Sequence, residues 1–597
     1  MRVSLFASTC CSLLLIAGCG DDGANADEVG ASADDEATDT ETDESSTGTD
    51  ESEGTTESES ESESESESES ESESESDTGE PTSWRSALFP EDWTPAFTDD
   101  EGRFLHDFSY AGYHNGELPL PADIPGVVRS VLEDGADPSG MADSCPAIQA
   151  TIDAVAQAGG GVVELPPGSF RCDDRLFVTD DGVVLRGAGP DQTQLWFTRD
   201  EGMTGQDHLS FQGSPSAGED RPLALDGEAR SAFIHVESPA ELDGLAVGDS
   251  VSVGWVITDA FIAEHGMEGT WMAFNGQWRP FFRRQIVDLG CDIPSEVPLC
   301  TIVLDVPLRY PAKLRDGASV RRETGYLREV GLESLAISTV SDDYDQAWTL
   351  DRTHAVGLIG VADAWVRDVH SFESPNSNDD RQRHLISGGV LVRDSKRVTV
   401  ADSTMAAPQH RGGGGNGYLF EISRSSEVMT RDCAGLDGRH NFIQNWDFGT
   451  TGCVWQRIHS EGSVAHVAAS EILGLPAASE FHHSLALANL IEESTLEDGW
   501  YAVNRGSYSS GAGHSATQNV LWNNLGSGQG GRIKSYQWGW GYVIGATGLV
   551  VQTDPAVATL FEGLGAAPED WVEGVNEALP LEPASLHAAQ LELRLGR

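Results

Sequence analysis

Between Asp137 and Gly189 the chain sets a short amphipathic helix, a triple-glycine turn and two short strands in immediate succession. Ile148, Ile152 and Val155 recur at helical spacing, Ser144 stands where an N-cap belongs, and Pro146 falls in the first turn. Gly159, Gly160 and Gly161 then end the helix. Val162 to Leu165 and Val183 to Leu185 are apolar runs bounded by glycine and proline, the pattern of strands buried on both faces. A lone apolar helix before such strands reads either as one unit of an α/β fold or, since the chain has few other helical patterns, as a cover for the exposed end of a stack.

Repetition downstream favours the stack. Strand-and-turn units begin at Val366, Val398, Val428, Val454, Leu490 and Val520, and Leu332 to Ile337 fits one unit earlier. A period near 30 residues with short strands and little helix predicts stacked coils with loops of uneven length. Residues 199–328 break the rhythm and read as a β-rich insertion from an early coil. The segment from Pro583 to Leu595 has helical spacing through Leu586, Leu591 and Leu595 and is expected to cover the C-terminal side of the stack.

The quoted helix, glycine turn and strands resemble the N-terminal cap and first coils of the pectate-lyase-like superfamily. The resemblance implies a single-stranded right-handed parallel β-helix, all-β, over residues 84–597. It also implies polysaccharide chemistry.

The N-terminus reads as an export signal. Arg2, the run Leu13 to Ile16, and Ala17-Gly18-Cys19 resemble a bacterial lipoprotein signal over residues 1–19, with Cys19 lipidated and the protein held at the cell envelope by that lipid. Residues 20–83 are rich in Ser, Thr, Asp and Glu, with alternating Glu and Ser from Glu57 to Ser76, and are expected to form a disordered linker. Fully extended, such a linker reaches on the order of 200 Å. Residues 1–80 hold 26 of the 98 acidic residues and one of the 36 basic ones, so the remainder still carries about −37. That charge argues against nucleic acid as a partner. A monomer is expected. Of nine cysteines, six lie beyond Cys19, and the expected pairs are Cys145 with Cys172, Cys291 with Cys300, and Cys433 with Cys453.

A histidine recurs near the start of the strand preceding each unit: His354, His384, His440, His482 with His483, and His514, with Tyr418 in the coil that lacks one. Coils about 4.8 Å apart would line these up as a ladder. The segment from Asp437 to Lys534 also supplies Arg439, Asn441, Asn504 and Arg505. Arg or Asn beside His suits β-elimination on a uronic acid, because the carboxylate must be neutralised before a base removes the C5 proton. His440 and His482 are the candidate bases, and Arg439 and Arg505 the candidate carboxylate partners. Asn441, His483, Asn504 and His514 are candidate substrate contacts. Residues 500–542 carry eight of the chain's 25 Trp and Tyr, and Trp500, Tyr508, Tyr536, Trp538 and Trp540 are candidate sugar platforms.

The expected function is a polysaccharide lyase on an acidic polymer. A non-catalytic glycan-binding protein and a glycoside hydrolase are the alternatives. No cofactor is required by the sequence. Calcium, held by some lyases of the superfamily on clustered Asp and Glu, stays open: Asp437, Glu461 and Glu480 are available near the candidate site, but no Asp-Asp or Asp-x-Asp motif lies there, and Asp342-Asp343 and Asp379-Asp380 read as solvated turns.

Overall fold

The computed structural model describes residues 82–596 apart from 292–298, 342–343, 378–381, 467–473, 529 and 555–566. The signal, Cys19, nearly all of the linker and the pairs Asp342-Asp343 and Asp379-Asp380 lie outside the described residues.

The chain winds into a right-handed parallel β-helix of three stacked sheets. The first sheet runs from Val127–Ser130 through Gly161–Glu164, Val183–Arg186 and Lys396–Ala401 to Trp571–Glu573. The second runs from Ser139–Asp143 through Gly168–Cys172 to Thr495–Leu496. Gly331–Thr339 and Val361–Ser371 are long enough to serve both sheets. The third holds ten strands, from Leu176–Val178 to Val550–Gln552. Their inward side chains fill one continuous core, in which Phe420 lies flat on Phe442 with centroids 5.0 Å apart.

The helix Cys145–Gln157 plugs the N-terminal end, with Ile148, Ile152 and Val155 buried. Ser144 is its N-cap residue, but its hydroxyl accepts from the Asp137 N–H rather than from the helix. The Cys145 N–H is taken instead by Asp143.

Coil register follows a residue type that strand matching passes over. Asp368, Asp402, Asp432, Arg457, Glu493 and Asn523 all have φ between 49° and 57° and sit at the corner leading from the first sheet to the second. Their spacings are 34, 30, 25, 36 and 30 residues. Aligning apolar run starts gives 32, 30, 26, 36 and 30, so relative to Val398 and Val428 the Val366 unit is out by two and the Val454, Leu490 and Val520 units are each out by one. A left-handed corner tolerates Asp, Asn or Gly but crowds a β-branched side chain. Asp402→Val is therefore expected to cost roughly 1–2 kcal/mol, and Asp402→Gly to be tolerated. Denaturant unfolding of the two variants checks this.

The insertion forms a seven-stranded antiparallel sheet between Ser216 and Thr324. It is narrower than 199–328, because Asp207–Gln212 pairs into the third sheet and Leu327–Arg328 into the first. It carries its own core, which continues onto Phe448, Leu485 and Leu487 of the coils.

A strap formed by the segment from Trp84 to Tyr113 crosses the outer face of the first sheet. Trp84 bridges to Leu581, and Leu88, Phe89, Trp93, Leu105 and Phe108 cover Val454, Leu490, Val520 and Trp522. The helix Leu586–Leu595 lies on this flank and does not cover the C-terminal end. Glu492 of the first sheet accepts from the Leu586 and His587 N–H groups, and Gln590 bonds the strap at His106 and Phe108. Its apolar side meets the strap, which the helical spacing alone does not locate.

Cys145 is bonded to Cys172, and Cys291 to Cys300. Cys433 and Cys453 are separate buried thiols, correcting the third pair. Cys453 stands at the start of a first-sheet strand beside Val428 and Asn489, whereas Cys433 follows the end of such a strand beside Ile458. They are a strand length apart. Burial pushes both thiols up to about 12, which leaves them unreactive.

Candidate functional site

The site begins with strand alternation. In Ser479–Phe481 the Phe481 ring enters the core, so Glu480 lies on the outer face of the third sheet. Register stacks Glu421, Ile443, Glu480, Tyr501 and Lys534 into one outer row. Lys534 Nζ lies 4.6 Å from the Tyr501 ring centroid.

Three cationic or titratable groups converge on Glu480. Arg505 Nη1 donates to it at 2.8 Å, His440 Nε2 lies at 3.2 Å and His482 Nε2 at 3.6 Å. All four side chains are almost fully buried. His440 also donates through Nδ1 to the Ala478 carbonyl at 2.5 Å. A carbonyl at one nitrogen and a carboxylate at the other both call for N–H donors, so the His440–Glu480 contact suits an imidazolium.

His482 is arranged differently. The Ser509 carbonyl accepts from His483 Nε2 at 2.6 Å, which leaves His483 Nδ1 as an acceptor when that ring is neutral. His482 Nδ1 lies 2.8 Å from it and donates. Neutral His482 thus carries its lone pair on Nε2, toward Glu480. Burial holds His482 well below the usual histidine range, reinforced by the positive charge of Arg505 and by His483, His440 and Arg439. At neutral pH it is a base that has not taken its proton.

Arg439 borders the same cluster and donates to the Gly412 carbonyl at 2.7 Å, beneath the glycine-rich loop Gly412–Gly417. Two coils along the outer row from Glu480 lies a group that sequence reasoning missed. Glu421 accepts from Arg352 at 3.2 Å and Asn445 at 3.1 Å, and meets His354 Nε2 at 3.0 Å. Burial pushes the Glu421 carboxyl up, but Arg352, His354 and Asn445 outweigh it and hold it at about 2. The available signal was a lone Glu inside the apolar run Tyr418-Leu-Phe-Glu-Ile422.

The histidine ladder does not form as expected. His354 pairs with Gly388 and Tyr418 with His440, but His384 lies before its strand and bonds Ser371, and His482 follows its strand, beside Asn445. Unequal loops destroy a register inferred from nearness to a strand. His514 sits in the Asn504–His514 hairpin and faces Trp538 and the insertion's His265, where burial and the charge of His265 lower it to about 4.

Other candidates are placed elsewhere. Asn441 lies in the strand His440–Gln444, and its side chain accepts from the Gly438 N–H and donates to Ser460, the Glu461 carbonyl and Asp498. Trp500 is core, packed on Trp455 and Phe481. Trp538 lies under the insertion and Trp540 against the strap cluster. Asn504 caps the Gly506 N–H within the hairpin. Tyr536 is buried, and burial with Asp554 and Asp570 pushes its phenol up to about 12. Tyr508, 40 % exposed, remains on the hairpin's rim.

Among the described residues, one histidine and carboxylate group has metal-ligand spacing: His114, Glu329 and Asp363. Asp363 already accepts from Nε and Nη2 of Arg397, each at 2.7 Å, and from Arg328 at 3.1 Å, a setting that opposes a cation.

The stacked sheets define the chain as a right-handed parallel β-helix protein. No family model matches the sequence. Part of the chain is similar to two enzymes of Azotobacter vinelandii. Mannuronan C5-epimerase AlgE4 is 37 % identical over 106 residues, 16 % of this chain and 19 % of the relative. Mannuronan C5-epimerase AlgE3 is 39 % identical over 108 residues, 17 % of this chain and 6 % of the relative. The chain thus spans less than a fifth of the length of either. Among solved structures, the tailspike protein gp49 from Pseudomonas phage LKA1 covers 71 % of this chain and 63 % of its own, at 13 % identity and TM-score 0.44. The A-module of Azotobacter vinelandii mannuronan C5-epimerase AlgE6 covers 76 % of this chain and 100 % of its own, at 12 % identity and TM-score 0.32.

Proposed function

We propose that this protein is an enzyme of uronic-acid polymers that removes the C5 proton of a sugar on the outer face of the third sheet. The observation that carries this reading is the convergence of Arg505, His440 and His482 on Glu480 at 2.8, 3.2 and 3.6 Å. A uronate carboxylate drawn to Arg505, Arg439 and the His440 imidazolium has its charge offset, which makes the neighbouring C–H acidic. His482 Nε2 takes the C5 proton as the C5–H bond breaks, and the electron pair moves into the carboxylate as an enediolate. Glu480 keeps the cations in place.

Two outcomes share this step. In β-elimination the electron pair returns to form a C4–C5 double bond while the C4–O bond breaks, and the leaving oxygen takes a proton. In epimerisation C5 receives a proton on the opposite face and the chain stays intact. Similarity to mannuronan C5-epimerases favours the second. Delivery to the cell envelope through Cys19 belongs to the same proposal.

The test is incubation with polymannuronate, polyguluronate and polygalacturonate in D2O. Ultraviolet absorbance of a new C4–C5 double bond identifies the lyase, and deuterium at C5 of an intact chain identifies the epimerase. If neither product forms on any polymer, the C5 reading is wrong. New reducing ends without a double bond would then mark a hydrolase, and retention without turnover a binder.

A further inference from the structure

The hairpin carrying Arg505 and Ser509 does not rest on the coils alone. Its far side is seated on the insertion. Trp271, fully buried, donates its indole N–H to the Ala512 carbonyl at 2.9 Å. Two glycines let the chains approach this closely. A Cβ on Gly513 would stand 2.4 Å from the Trp271 indole nitrogen and 2.6 Å from Met267 Sδ, and one on Gly511 would stand 2.2 Å from the Thr270 carbonyl oxygen. Both have positive φ, +62° and +84°. The hairpin is closed within itself by Arg505 N–H to the Gly513 carbonyl at 2.7 Å and Gly513 N–H to the Gly506 carbonyl at 3.0 Å. Whatever fixes Ala512 and Gly513 therefore fixes Arg505.

From the hairpin, two contacts enter the cluster. Arg505 reaches Glu480 through Nη1 and Ser509 Oγ through Nη2 at 3.1 Å. The Ser509 carbonyl holds His483 Nε2, and His483 in turn sets which nitrogen of His482 carries its proton.

We infer that Trp271 of the insertion is a positioning residue for the site: through the Asn504–His514 hairpin it places Arg505 against Glu480 and orients the His483–His482 pair. The inference rests on reading that cluster as the C5 proton-transfer site. It gives the insertion a role in the reaction although none of its residues need touch the sugar.

Trp271→Phe keeps most of the apolar fill and removes the indole donor. Gly513→Ala leaves Trp271 intact and pushes the hairpin away from it. Both are expected to lower kcat/KM by roughly 10- to 100-fold, the range seen when a residue that orients a reacting group is lost. The loss should be less than additive with Arg505→Gln. A shifted hairpin also carries the Arg505 charge away from His482, so the acid limb of the pH–rate profile is expected to move to higher pH. Loss of packing alone would lower the unfolding temperature and leave that limb in place.

The His482 imidazole titration followed by NMR supplies a readout that needs no turnover. If wild type acts on none of the polymers, the C5 reading fails, and the inference is decided by whether the His482 titration rises in both variants. If either variant fails to fold, the other decides. Unchanged kcat/KM, acid limb and His482 titration in a folded variant would overturn it.

Discussion

His482→Ala is expected to lower kcat by roughly 10²- to 10⁴-fold on whichever uronate polymer is the substrate, the usual worth of a positioned general base. The variant loses the only ring of the cluster whose neighbours leave a basic nitrogen toward Glu480. His440 is not placed to replace it, because the Ala478 carbonyl at Nδ1 and Glu480 at Nε2 both call for a donor. The pH profile carries the same argument. A general base works in its deprotonated form, and burial with the charges of Arg505, His483, His440 and Arg439 keeps His482 deprotonated well below the ordinary histidine range. Wild-type activity should therefore persist on the acid side of pH 6.5. Arg505→Gln removes one of those charges, so its acid limb should lie at higher pH than that of wild type. Steady-state kinetics of the three proteins between about pH 4 and 8 check both statements, with unfolding temperatures to confirm that each is folded. Full activity in His482→Ala would remove His482 from the mechanism.

What could be read from the sequence is what depends on local pattern. Ile148, Ile152 and Val155 lie on one face because helical geometry puts them there, and the coil they plug supplies the apolar surroundings. Register was harder. Valines begin strands in every coil, so they align equally well one or two positions out, whereas the left-handed corner at Asp402 and Asp432 has one place per coil. The site was legible as a neighbourhood, because Glu480-Phe-His-His483 and Asn504-Arg505 fall in consecutive coils. Its aromatic half was not. Trp500, Trp538 and Trp540 differ little in sequence context, yet one packs in the core, one under the insertion and one against the strap. The insertion and the strap that cover Trp538 and Trp540 come from residues more than 200 positions away, as with Trp271 and Ala512, whereas the core neighbours of Trp500, Trp455 and Phe481, are close in sequence. The failure of the Cys433–Cys453 pair has the same origin: spacing in sequence does not say which end of a strand a cysteine occupies.

Glu427→Ala is expected to be the most destabilising single substitution on the insertion's docking face, at about 3–5 kcal/mol. Glu427 stands in a coil turn with φ +57° and is 1 % exposed. Arg309 reaches it with Nη2 at 2.8 Å and Nε at 3.2 Å, and Arg284 lies 3.3 Å away. Both arginines belong to the insertion and both are buried. The Glu427 backbone carbonyl also accepts from Gly112 of the strap at 2.9 Å, and the Arg309 guanidinium lies 5.7 Å from the Phe108 ring centroid. Three separate parts of the chain therefore meet at Glu427, the insertion at its carboxylate and the strap at its backbone carbonyl. Removing the carboxylate leaves two guanidinium groups in a dry interface with their counter-charge gone, and desolvation that the pair had offset becomes a net cost. The exposed pair Arg321–Asp220, 2.9 Å apart on the insertion's surface, is the control. Breaking it should cost under about 1 kcal/mol, because water and salt already screen it. Denaturant unfolding of Glu427→Ala and Asp220→Ala compares the two, and limited proteolysis locates the damage. Cleavage confined to the strap and insertion would show that the coils hold together without Glu427, whereas equal stability of the two variants would mean that docking does not depend on this carboxylate.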